Sequence, residues 1–110
     1  MTNPLINRHC TPLPADTKAL SLAQCQQLLA HVSGWTLSET CRYLRREFTF
    51  KQYYETMAFV NALAYIAHQE DHHPELTITY NRCIVRYDTH TVNGLSENDF
   101  ICAAKINALS

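Results

Sequence analysis

The sequence predicts an α+β fold: an antiparallel sheet of hairpin-connected strands with helices packed on one face, in the order α-β-β-α-β-β-α. Three observations carry this expectation. Apolar residues recur at helical spacing in three separate segments. Between those segments lie two stretches of period two, each divided by polar turn residues, which is how hairpins read. Before the first and last helical segments stands a serine followed three residues later by a side chain able to reach back to it. Strands joined by tight turns are antiparallel, and their apolar face needs a helical layer over it.

Residues 1–19 carry Pro4, Pro12 and Pro14 and no sustained period, so they read as an irregular, poorly ordered arm; His9-Cys10 could bind a stray metal, but a plain terminus is the favoured reading. Residues 20–110 form the single domain. Its first helix starts at Ser21, with Gln24 at capping-box spacing and Leu20 placed to staple onto Cys25. Leu22, Cys25, Leu28, Leu29 and Val32 fall on one side, and Gly34 is placed to close the helix. Trp35 then opens a short extended segment as a large core residue. A polar turn at Ser38-Glu39-Thr40 leads to a strand between Cys41 and Phe50, where Leu44, Phe48 and Phe50 oppose Arg45, Glu47 and Thr49. Arg46 falls on the apolar side, either as an edge exception or paired. The second helix runs from Lys51 to Gln69, with Tyr53, Met57, Val60 and Ala64 as one stripe and Tyr54, Phe59, Leu63 and Ile66 widening it. Leu76, Ile78 and Tyr80 alternate with Thr77 and Thr79. Asn81-Arg82 supplies a two-residue turn. The return strand, Cys83 to His90, puts Ile84, Arg86, Asp88 and His90 on one face and Cys83, Val85, Tyr87 and Thr89 on the other. Asn93-Gly94 breaks the pattern, and Ser96 with Asp99 caps a last helix whose apolar side holds Phe100, Ala103, Ala104 and Ile106 to Leu109.

Composition narrows the function. At 110 residues, 46% hydrophobic and 17% charged, the chain suits one globular domain. A net charge of −1 with no long run of Lys or Arg disfavours direct nucleic-acid binding. Five scattered cysteines with no CxxC suit a reducing compartment rather than a disulfide framework. Neither a signal peptide nor a membrane span is evident, and a cytoplasmic protein is expected.

The stretch His68-Gln69-Glu70-Asp71-His72-His73-Pro74 concentrates the chemistry. Pro74 disfavours helical backbone at His73, so the histidine pair falls at a helix end, where side chains can converge on a cavity. Three readings compete. His68 and His72 have the i, i+4 spacing of zinc-binding histidines, but Gln69 stands where the HExxH motif has its glutamate. Histidines at a helix C-terminus also cap carbonyls and favour the dipole. The third reading is proton transfer, because imidazole titrates near neutrality and several of them can give and take protons in one pocket. No nucleophile elbow, phosphate loop or dinucleotide fingerprint is present. The residues alone thus point to a proton-transfer site of unspecified substrate.

These residues in combination resemble the pterin-4a-carbinolamine dehydratase family, also known as the dimerisation cofactor of a homeodomain transcription factor. His68 precedes His72-His73-Pro74 by the family's spacing. Tyr80, Asp88-Thr89-His90 and the Gly94 to Phe100 segment follow at family positions. Upstream, Gly34-Trp35, Phe48-Thr49-Phe50-Lys51 and Ala58-Phe59-Val60-Asn61 are similar too. The resemblance covers about residues 20–109. It implies a four-stranded antiparallel sheet with three helices, paired into homodimers or homotetramers, and no metal or organic cofactor. It also implies dehydration of 4a-hydroxytetrahydrobiopterin, or a related 4a-hydroxytetrahydropterin, to quinonoid dihydropterin, which recycles the cofactor of aromatic amino-acid hydroxylases. His72, His73 and His90 would be catalytic, with His73 and His90 as leaving-group acid and proton acceptor in either order. Trp35, Asp71, Pro74, Asp88, Thr89 and Thr91 would meet the substrate, and His68 and Asp99 would support. Asp99 is equally explicable as a helix cap. Two departures stand out: His68 replaces a frequent acid, and Thr91 stands where an acid commonly follows the third histidine. The alternative is a non-catalytic or moonlighting protein-binding module, a transcriptional coactivator or assembly factor. Retention of all three histidines favours the enzyme.

Overall fold

The computed structural model describes residues 4–109. Its first helix, α1 (Leu22–Leu29), begins at Ser21, whose hydroxyl accepts from the Gln24 N–H at 3.2 Å while Gln24 Oε1 accepts from the Ser21 N–H at 2.8 Å. Both orphan donors are satisfied reciprocally, as the spacing predicted. Only Cys25 of this helix is fully buried, and Leu22, expected on the apolar side, is 57% exposed. The helix stops at Leu29, well before Gly34, so glycine does not close it. Gly34 instead sits at φ +87° in the turn entering Trp35, where a Cβ would come within 2.7 Å of the Arg46 guanidinium carbon. Backbone hand and close passage of Arg46 both call for glycine there.

Strands β1 (Thr36–Leu37), β2 (Leu44–Thr49), β3 (Glu75–Ile78) and β4 (Arg82–Tyr87) form one antiparallel sheet in the order β1-β2-β4-β3. With α2 (Tyr53–Glu70) and α3 (Glu97–Asn107), they follow the element order that the sequence predicts. Leu44, Phe48, Cys83, Val85 and Tyr87 line the buried face. Phe59, Val60 and Leu63 of α2 and Phe100, Ile101 and Ile106 of α3 complete the core. Trp35 stands edge-on to Phe48 at 6.3 Å, and Phe48 packs on Phe59 at 4.6 Å. Arg46 proves to be paired: it lies 4.3 Å over the Phe48 ring and donates to Ser33 O and, at 2.6 Å, to Asn107 Oδ1. Among the described residues, no helix is long and apolar enough to cross a membrane.

Three local expectations need correcting. The β1–β2 connection is longer than a three-residue turn, because the Ser38 hydroxyl gathers the N–H groups of Arg42 and Tyr43 around a left-handed Cys41. The β3–β4 turn centres on Tyr80-Asn81, one residue before the predicted Asn81-Arg82, since Thr79 N–H bonds Arg82 O. Strand β4 ends at Tyr87 instead of reaching His90. Thr89 bridges to Gly94, and a 3-10 turn over His90–Val92 closes on left-handed Asn93.

Among its described residues the arm is irregular apart from a 3-10 turn at Leu5–Asn7, yet it is fastened from Leu5 to Thr11. Leu5 is buried, Lys105 Nζ donates to Ile6 O, and Arg8 pairs with Glu97 at 2.7 Å. Thr11 and Asn98 exchange two hydrogen bonds. Glu70 is the centre of this attachment, accepting from the Cys10 N–H at 2.7 Å and lying 2.9 Å from His9 Nδ1 and 3.8 Å from Lys105. The His9 ring and the Cys10 N–H thus share Glu70, while the Cys10 sulfur turns to Asn98 O and Cys102. Burial alone would push the Glu70 carboxyl up, but the Cys10 N–H, His9 and Lys105 together hold it below the ordinary value of 4.5. A depressed carboxyl contributes stability that is present above that ordinary value and lost as pH falls through the folded one. Glu70→Ala is therefore expected to cost about 1–3 kcal/mol in denaturant unfolding at neutral pH and to open residues 8–20 to limited proteolysis. The wild-type arm should loosen only in acid.

Candidate functional site

Helix α2 ends on Asp71, a left-handed residue (φ 50°, ψ 44°) whose N–H returns to Ala67 and His68 carbonyls. This cap reverses the chain, and Pro74 biases His73 toward extended backbone. His72 is thereby turned inward onto α3 and β4. Its Nε2 lies 2.6 Å from Asp99 Oδ1, its ring stacks on Tyr87 at 5.1 Å, and its carbonyl accepts from the Tyr87 hydroxyl at 3.0 Å. Asp99 has no exposed surface. Its other oxygen accepts from Thr89 Oγ1 at 2.7 Å and from the Ser96 N–H at 2.9 Å. The capping box predicted at the start of α3 is thus formed by the same carboxylate that holds the histidine.

Burial on its own would lower the pKa of His72, but the hydrogen bond and charge of Asp99 outweigh it and leave the imidazole above its ordinary value. Beside this pair opens a cleft of about 340 Å³, lined by Asp71, His72, Thr89 and Thr91 on one side and by arm residues Cys10 to Leu13 on the other. Thr89 also lines a second cleft of about 160 Å³ with Asp88, His90, Arg42 and Arg86. Arg86 stands 3.9 Å from Asp88 and 3.9 Å over the Tyr43 ring.

The sequence-predicted residues are therefore brought together only in part. Asp71, His72, Thr89, Thr91 and Asp99 meet at the larger cleft or directly behind it. Asp88 and His90 face the smaller one across Thr89. His73 is exposed and Pro74 half-buried, next in the chain to His72 but lining neither cleft. His68 is exposed on the last turn of α2. Trp35 is elsewhere: it is buried in the core, and its Nε1 donates to Asn107 Oδ1 at 2.7 Å. Asn107 ends the helix that Asp99 begins, about 12 Å away along its axis at 1.5 Å per residue. Among the described residues, no three His, Cys, Asp or Glu side chains are arranged to hold a metal.

Two contributors escaped the sequence reading. Tyr87, the floor under His72, was legible as a buried member of the β4 alternation, one step before Thr89 on the same face. The arm's share of the cleft had no signal, because it depends on long-range bonds to Glu70 and Asn98.

Comparison with known proteins bears on the family and the fold. The sequence profile of the family "Pterin 4 alpha carbinolamine dehydratase" matches residues 18–109. A Stenotrophomonas maltophilia (strain K279a) protein named "Putative pterin-4-alpha-carbinolamine dehydratase" is 55% identical over 107 residues, covering 97% of this chain and 92% of its own. A protein of the same name from Xanthomonas campestris pv. campestris (strain 8004) is 54% identical, over 96% and 90% of the two chains. Among solved structures, a transcriptional coactivator/pterin dehydratase from Brucella melitensis superposes with a TM-score of 0.79 at 33% identity, covering 84% of this chain and 98% of that one. A pterin dehydratase-like protein identified as a RuBisCO assembly factor in the alpha-carboxysome gives 0.60 at 26% identity, over 69% and 88%. The chain belongs to the pterin-4-alpha-carbinolamine dehydratase family.

Proposed function

We propose that this protein dehydrates a 4a-hydroxytetrahydropterin, such as 4a-hydroxytetrahydrobiopterin, to the quinonoid dihydropterin and water. The observation that carries the reading is the His72–Asp99 pair set in a 340 Å³ cleft of a chain from this family. The cleft falls within the size range of small-ligand pockets. The reaction asks for little beyond proton transfer. One imidazolium protonates the 4a-hydroxyl as its C–O bond breaks, a second imidazole takes the N5 proton, and the C4a=N5 double bond forms. His73 and His90 fill these two roles, in either order. His72 is the positioning residue: with Nε2 fixed on a buried carboxylate, its ring is held to orient the pterin at the larger cleft, with His73 next to it in the chain and His90 in the neighbouring cleft across Thr89. Asp71, Asp88, Thr89 and Thr91 offer polar contacts around that edge. The protein works in the family's setting, as a cytoplasmic homodimer or homotetramer serving an aromatic amino-acid hydroxylase; light scattering on the purified chain reads the oligomer.

The test is a coupled assay in which a hydroxylase generates the 4a-hydroxytetrahydropterin and its decay is followed at 25 °C. Added protein is expected to accelerate that decay in proportion to its concentration. A rate equal to that of buffer would overturn the enzyme reading and favour a protein-binding module, a role akin to that of the related RuBisCO assembly factor.

A further inference from the structure

Cys10 Sγ and Cys102 Sγ lie 3.6 Å apart, joining the arm to the middle of α3. Both are free thiols. Cys102 is fully buried, whereas Cys10 is half-buried and lines the His72 cleft. Dehydration of a pterin gives neither sulfur a task. Cys102 also lies near Tyr87, whose hydroxyl donates to the His72 carbonyl, so the pair sits under the same ledge that carries the histidine.

We propose that Cys10 and Cys102 form a dithiol site that reacts with a small-molecule disulfide and closes to an intramolecular disulfide, fastening the arm covalently to α3. A disulfide needs its sulfurs about 2.0 Å apart, so the two must approach by about 1.6 Å. The chain between Arg8 and Ser21 contains neither helix nor strand, and the movement falls to Cys10 while α3 stays in place. The alternative partner of the Cys10 thiol, the Asn98 carbonyl at 3.4 Å, is surrendered when the bond forms.

The exchange takes two steps. The exposed side belongs to Cys10, whose sulfur attacks one sulfur of the incoming disulfide. A Cys10 mixed disulfide forms, and the other half leaves as a thiol with the Cys10 proton. Cys102 then attacks the Cys10 sulfur, the protein disulfide forms, and the second half leaves as a thiol with the Cys102 proton. Two electrons pass from the protein dithiol to the small disulfide, which is reduced to two thiols. The hydrogen bond from Cys10, aided by Tyr87, outweighs burial and holds the Cys102 thiol below its ordinary range, which suits the resolving sulfur. Contact with Cys102, and then burial, push Cys10 up, so the first step is the slow one and quickens as pH rises.

Oxidised glutathione is the probe. The full chain is incubated with it, digested without reductant and mapped by mass. The expected product is a peptide joining Cys10 to Cys102, with an intact mass lower by two hydrogens and no glutathione retained. Its Tm is expected to rise by on the order of 10 °C and to return with dithiothreitol. Cys102→Ala should stop at one glutathione on Cys10. Cys25 and Cys41, which lie near each other, are the competing pair. Oxidation confined to that pair, a stable adduct on wild-type Cys10, or a chain left fully reduced would each overturn the proposal. A linked peptide with unchanged Tm would overturn the fastening. The wild-type map reads the outcome even if the variant fails to fold, and none of these results depends on the pterin reading.

Discussion

Replacing His90 or His73 with alanine is expected to slow dehydration of a 4a-hydroxytetrahydropterin by about 10²–10⁴-fold, the usual worth of a general acid or base. Unfolding midpoints should hardly move. Both side chains are exposed, so truncating either removes no core packing, and exposed substitutions of this kind stay within about 0.5 kcal/mol. That separation is what makes the pair informative. His72→Ala would also lower activity, but it strips a partner from buried Asp99 and so mixes chemistry with stability. Acid and base roles differ in their pH signature: if one histidine donates and the other accepts, each variant removes one limb of the kcat/KM profile. Full turnover in either variant would dismiss the role given to that histidine.

The two histidines also mark where sequence reading reached its limit. Element types and order were legible because period, capping boxes and turn residues are local signals. Ser21 with Gln24 and Ser96 with Asp99 lie three residues apart, and their bonds form within one helical turn. What failed was set by the third dimension. His90 was expected at the end of a strand, but the Thr89–Gly94 bridge folds the chain back first and turns His90 into a separate cleft. Trp35 resembles a substrate contact by position, yet Asn107 and Phe48, distant in sequence, hold it in the core. The arm read as poorly ordered because nothing within it signals docking; its partners Glu70, Asn98 and Lys105 lie about 60 to 100 residues on. Asp99 was the residue where two local readings were equally good, and there the geometry joins them. One oxygen caps the helix and the other holds His72.

Separating those two roles of Asp99 gives the largest stability effect expected of the molecule. Asp99→Ala would leave the His72 N–H, the Thr89 hydroxyl and the Ser96 N–H without their shared acceptor at a fully buried point. Breaking such a pair from one side costs about 3–5 kcal/mol, a large share of a small domain's total stability. Asp99→Asn is the sharper probe. An amide keeps one oxygen for the helix cap but presents NH₂ to His72, which must then give up the Nε2 proton, and the charge that raised its pKa is gone. The pH dependence therefore has a definite sign. A histidine whose folded pKa is raised contributes stability that is complete below its ordinary value of 6.5 and is lost as pH rises through the folded value. The gap between wild type and Asp99→Asn should be widest near about pH 5.5 and narrow toward about pH 8.5, read by denaturant unfolding at each pH. In parallel, the His72 imidazole resonances of the variant should titrate at lower pH than in the wild type. A gap that stays constant across that range, with His72 titrating unchanged, would mean that Asp99 serves the helix alone and that the histidine is held by its stacking on Tyr87.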